Sequence, residues 1–134
     1  MKQFLFCCIM FLTINSGCKD NPVWPISPSL IGSWNWVKSV GGIMGGYFTP
    51  QTEKHTRTII FTPDSVCKQY LDDSLVNSPS FTVRQQNISD GSKVEMIFYP
   101  EPNPAQIITR LDDDTLIVTD YVDDGFTSTF NRIK

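Results

Sequence analysis

Along most of the chain, apolar and polar positions alternate with a period of two. In the last segment Phe126, Ser128, Phe130 and Arg132 fall on one face, and Thr127, Thr129, Asn131 and Ile133 on the other. That is the spacing of a strand, whose successive side chains point to opposite sides. No stretch of ten residues repeats apolar positions at three-and-four spacing, so helices are not expected to build the core. Eight runs rich in β-branched and aromatic residues read as strands: Leu30–Val40, Thr56–Thr62, Ser65–Leu71, Ser80–Gln86, Ser92–Tyr99, Ala105–Leu111, Thr115–Val122 and Phe126–Ile133. Turn chemistry separates them, in Thr62-Pro63-Asp64, Asp72-Asp73-Ser74, Ser89-Asp90-Gly91, Pro100 to Pro104, Asp112-Asp113-Asp114 and Asp123-Asp124-Gly125.

Connections this short join antiparallel neighbours, and a meander of this length removes its exposed edges by closing on itself. The expected fold is all-β: an eight-stranded antiparallel up-and-down β-barrel, preferred over a sandwich. A chain of 134 residues falls within the single-domain range, so residues 30–134 are assigned to one β-barrel domain.

Upstream the pattern changes. Lys2 precedes an apolar run, Phe4 to Leu12, that is far shorter than the roughly 20 residues needed to span a bilayer. Residues 1–17 therefore read as a secretory signal peptide. The following Ile14-Asn15-Ser16-Gly17-Cys18 resembles the lipobox of bacterial lipoproteins, although Asn15 stands where an aliphatic residue is usual. The resemblance implies that Cys18 carries diacylglycerol and becomes the first residue of the mature protein. Ordinary secretion with cleavage near the same place is the alternative. Residues 18–29, with Pro22, Pro25 and Pro28, discourage helix and internal sheet and read as a tether. Lys19-Asp20 resembles the short charged signal of surface-exposed Bacteroidota lipoproteins. The expected location is the cell envelope, lipid-anchored at a bacterial outer membrane, periplasmic or surface-exposed, with the membrane as partner through Cys18.

Composition removes several classes of function. The formal net charge is −3, and the cations are scattered singly, so no nucleic-acid partner is expected. Of the four cysteines, Cys7, Cys8 and Cys18 belong to the leader and its cut, which leaves Cys67 without an intramolecular disulfide partner. It reads as a small half-buried apolar residue. His55 is the single histidine, and no nucleophile-elbow or zinc pattern accompanies it; an enzyme would require it to face a pocket beside a Ser or Asp. The aspartate clusters lack calcium-loop spacing and read as turns. No cofactor, metal or catalytic residue is expected.

Gly41 to Gly46 has the glycines of a phosphate loop but no Gly-Lys-Ser/Thr after it. It reads as a long, mobile first loop over the barrel mouth, with Ile43, Met44, Tyr47 and Phe48 as candidate lid or ligand contacts; packing on the rim is the other reading.

Gly32-Ser33-Trp34 in the first strand and Arg132 near the end of the last resemble the lipocalin signature. The wider pattern is similar to lipocalin-like domains of Bacteroidota lipoproteins: Leu30-Ile31-Gly32-Ser33-Trp34, then a glycine-rich loop, then Phe61-Thr62-Pro63-Asp64, and finally Phe130-Asn131-Arg132. The resemblance implies a structural pair at the closed barrel base, with the Arg132 side chain laid across the Trp34 indole. A guanidinium over an indole face gains about 0.5–2 kcal/mol. It also implies a membrane-anchored lipoprotein that binds a small apolar ligand in the barrel. A surface structural or protein-interaction module with a filled barrel is the alternative, and cavity volume discriminates the two.

Overall fold

The protein is described by a computed structural model covering residues 29–134. The expected signal peptide, Cys18 and the expected tether up to residue 28 lie outside the described residues. Ten strands and one short helix follow in order: β1 (Gly32–Gly41), β2 (Gly46–Phe48), α1 (Pro50–Glu53), β3 (Arg57–Phe61), β4 (Cys67–Leu71), β5 (Ser74–Asn77), β6 (Thr82–Asn87), β7 (Lys93–Phe98), β8 (Gln106–Leu111), β9 (Thr115–Asp120) and β10 (Phe126–Arg132). They form one antiparallel sheet in the order β5-β4-β3-β1-β10-β9-β8-β7-β6, with β2 paired to β1. First and last strands are neighbours, with Trp34 opposite Arg132.

All-β architecture and the eight expected runs are present, but the sheet has ten strands, not eight, and its ladder is not closed. The two additional strands have local causes. Gly42 and Gly45 take positive φ (+78° and +63°), and the Gly45 amide donates to the Gly42 carbonyl at 2.9 Å. Glycine adopts this geometry without steric penalty, so the expected mobile loop is instead a tight hairpin that returns as β2. β5 ends just before Pro79, which has no N–H to offer a ladder. β5 and β6 thus stand at opposite ends of the strand order, yet only residues 78–81 separate them in sequence. One isolated bridge, Val66 to Ser80, forms beside this link. Its two bonds run from the Cys67 amide to the Pro79 carbonyl (2.8 Å) and from the Phe81 amide to the Ser65 carbonyl (2.9 Å).

Inward side chains of the strands, with Leu30 and Phe81 just before β1 and β6, form the core. Leu30, Trp34, Phe61, Phe81 and Leu116 are completely or almost completely buried, and the Phe61 and Phe81 rings meet edge-on at 5.0 Å. Burying each such side chain contributes about 1.5–3 kcal/mol relative to exposure, an upper bound because the unfolded chain already hides some apolar surface. A register shift between Trp36 and Lys38 interrupts the alternation of β1. Such bulges re-aim the residues that follow them. Here the shift turns Ser39 inward, where it is buried, in place of the Lys38 that strict alternation would place there.

Candidate ligand-binding site

Two places in the sheet carry organised chemistry, and they lie at opposite ends of β10. At its C-terminal end the Arg132 guanidinium carbon sits 4.0 Å from the centroid of the Trp34 ring. Arg132 Nε donates to the Asp113 carbonyl at 2.7 Å and Nη1 to the Ile31 carbonyl at 3.0 Å, while Nη2 donates to the Ser29 carbonyl. Trp34 Nε1 donates to the Leu30 carbonyl at 3.0 Å, so the buried indole keeps no unmet polar atom. Gly32 makes this stack possible. Its φ is +138°, and a Cβ there would stand 2.6 Å from Arg132 Nη1. One side chain therefore joins the chain entry, the first strand, the last strand and the β8–β9 turn.

At the other end of the strands the inward side chains leave a cavity of about 600 Å3. Trp36, Ile59, Phe126 and Phe130 give it apolar walls, and Phe48 closes one side by packing edge-on against Phe126 at 5.7 Å. Within these walls run two polar chains. Trp36 Nε1 donates to Ser39 Oγ at 2.8 Å, and Ser39 Oγ lies 2.7 Å from Ser128 Oγ. In the second chain, Tyr99 Oη donates to Gln106 Oε1 at 3.2 Å, and Gln106 Nε2 donates to Asp120 Oδ1 at 2.8 Å. The other Asp120 oxygen accepts the Phe126 amide at 3.3 Å. Cys67 also lines the cavity; burial pushes its thiol up to about 11, so it stays protonated at neutral pH. Burial, and then the neighbouring Cys67, hold the Tyr99 phenol well above its ordinary value.

The remaining lining group of interest is Arg57, at the start of β3. Its guanidinium carbon lies 4.7 Å from the Trp36 ring centroid, and no ion pair holds it among the described residues. Glu53, at the end of α1, also lines the cavity. Thr49 and Thr52 cap that one-turn helix reciprocally, and Pro50 opens it.

The four candidate lid residues separate. Phe48 lines the cavity, whereas Ile43 and Met44 stand at the hairpin tip, 86% and 95% exposed. Tyr47 faces outward, with the Lys38 ammonium 6.0 Å from its ring centroid. His55 is not a lining residue; its Nδ1 lies 2.6 Å from Asp72 Oδ2 at the surface. The Asp72 carboxyl is held below its usual range, first by the Thr56 amide and then by His55. Asp112 likewise accepts from Arg110 Nε (2.6 Å) and from the amides of Asp114 and Thr115 as a turn residue. No group of three His, Cys, Asp or Glu is placed to hold a metal ion among the described residues.

Sequence reading alone did not single out the polar chains or Arg57. Ser128 was legible, since it shares the Phe126–Phe130 face. Ser39 was not, because the bulge in β1 moves it inward, and the Gln106–Asp120 contact arises from pairing between β8 and β9. The capping box at Thr49 was a visible signal for α1. Comparison of the chain with known protein families, curated proteins and solved structures finds no match.

Proposed function

We propose that this chain is a lipocalin-like lipoprotein, anchored through Cys18 at a bacterial outer membrane, whose barrel holds a small, mainly apolar ligand. The observation that carries the reading is the cavity of about 600 Å3, which lies within the roughly 300–1,000 Å3 range of small-molecule sites. A packed interior, which the protein-interaction alternative requires, would leave no such space. The polar side chains inside do not argue against an apolar guest. Ser39, Ser128, Gln106 and Asp120 satisfy one another, and no buried side-chain polar atom among the described residues lacks a partner.

The barrel reading treats β5 and β6 as two halves of one bent strand, residues 74–87. Its first half pairs with β4 and its second with β7. Counting that stretch once, and setting β2 aside as the return of a hairpin, gives the eight strands that the barrel reading requires. The Trp34–Arg132 contact over Gly32 supports this reading, because the lipocalin resemblance implies such a pair. The anchor rests on Lys2, the short apolar run and Ser16-Gly17-Cys18; no helix among the described residues is long and apolar enough to cross a membrane.

Native mass spectrometry of the full chain purified from membranes tests the ligand reading. The expected result is a co-purifying species of small-molecule mass released on activation. If only apo-protein is found, and short-chain amphiphiles added in excess also fail to bind, the filled-module alternative replaces it.

A further inference from the structure

We infer that the cavity selects an amphiphile with an anionic head group, which pairs with Arg57 at the cavity rim while the apolar tail lies against Trp36, Ile59 and Phe130. This inference rests on the proposed ligand-binding reading and adds the polarity of the ligand's head.

The argument turns on which polar groups are already engaged. The Ser39–Ser128 pair takes the Trp36 indole N–H, and the Tyr99–Gln106–Asp120 chain is closed by the Phe126 amide. A guest gains little by competing with bonds already made. Arg57 differs: it is the one cation among the described residues lining the cavity, and its recorded contact is the face of Trp36 at 4.7 Å. The ring contact holds the guanidinium at the cavity rim, and none of its N–H groups is engaged in a hydrogen bond or ion pair among the described residues. Its N–H edge is a planar fork matched to two oxygens of a carboxylate or phosphate. The same indole that holds the guanidinium is also a cavity wall, so an anion paired to Arg57 has its attached chain directed along Trp36 into apolar space.

The opposing consideration is acidity, because Glu53 and Asp120 also line the cavity. Both Asp120 oxygens already accept hydrogen bonds, from Gln106 and from the Phe126 amide. Asp120 ends β9, and β1 and β10 lie between that strand and β3. Glu53 is the group that could favour a cationic head instead, so the test must include that polarity.

The experiment measures binding of four probes sharing an eight-carbon tail (octanoate, octyl phosphate, octanol and octylammonium) to the full chain in zwitterionic bilayer discs, by calorimetry and ligand-observed NMR. The expected result is that an anionic probe binds roughly five- to tenfold more tightly than octanol, with octylammonium weakest. Arg57→Gln should bring the anions to the octanol level and leave octanol unchanged; Arg57→Lys should retain part of the preference. Near-UV circular dichroism checks that both variants are folded. Tighter octanoate assigns a carboxylate head and tighter octyl phosphate a phosphate head, and either supports the inference. Octanol or octylammonium binding as tightly as the anions, or an anion preference that survives Arg57→Gln, overturns it and leaves the cavity reading standing. If no probe binds, the ligand-binding reading itself falls.

Discussion

Arg132 shows how much one side chain can hold. Replacing it with Ala removes the ring contact and the donors to three carbonyls, so Arg132→Ala should lower stability by about 1–3 kcal/mol, read as a fall in the melting midpoint. Gly32→Ala should cost a similar amount, about 1–3 kcal/mol, from the positive φ and the 2.6 Å approach to Arg132. The two losses share a cause and should not add. In an Arg132→Ala background the clash is gone, and Gly32→Ala should cost less than it does alone. Strict additivity would show that the guanidinium does not rest on Gly32. Cys67 gives a second test, by pH. In the unfolded chain the thiol ionises near its ordinary 9.0, while the folded protein holds the proton until about 11. Between those values the unfolded state binds fewer protons, so stability is full below about pH 8 and falls as pH rises through that window, by roughly 2–3 kcal/mol. Urea midpoints across pH 7–11 should decline less steeply for Cys67→Ala. Parallel curves would mean that the thiol contributes no alkaline sensitivity.

Among the elements, strength should follow the pairing. β1 is paired along one edge to β10 and along the other to β3 and then β2, and β10 is paired to β1 and β9, whereas β5 and β6 each pair on one side only. Amide hydrogen exchange should therefore be slowest in β1 and β10, and faster by orders of magnitude in β5 and in the Arg84–Asn87 half of β6. Uniform protection across all ten strands would show that the link between β5 and β6 is sealed more fully than a single bridge implies. The same contrast explains what could be read from sequence. Alternation over five or more residues located the eight long runs, and two short aromatic motifs at the chain's ends located the Trp34–Arg132 pair. β5 escaped because Leu75 and Val76 are too few to show a period, and both are exposed. β2 escaped because a glycine-rich stretch codes equally for a mobile loop and for a hairpin turn. The cavity's polar interior escaped for a different reason. Ser39 depends on a one-residue bulge, and Gln106 meets Asp120 only once β8 and β9 are in register. Composition carries neither fact.

For the whole molecule, the anchor is the testable premise. Cys18→Ala should abolish labelling by a fatty-acid probe and release the protein from the membrane fraction, since two or more acyl chains hold a protein firmly and none holds it at all. Labelling that persists would overturn the lipoprotein assignment. The base clamp then acquires a consequence for orientation. By gripping the carbonyls of Ser29 and Ile31, Arg132 fixes where the chain enters the domain, and that entry is at the Trp34–Arg132 end of the strands. Arg57, Asp120 and Phe126, which line the cavity, lie at the opposite ends of β3, β9 and β10 from that stack. On the proposed reading of a protein moored through Cys18, the cavity mouth lies at the far end of the strands from the point where the chain enters the domain, and the expectation is that cargo is exchanged with the aqueous side rather than drawn straight up from the leaflet beneath.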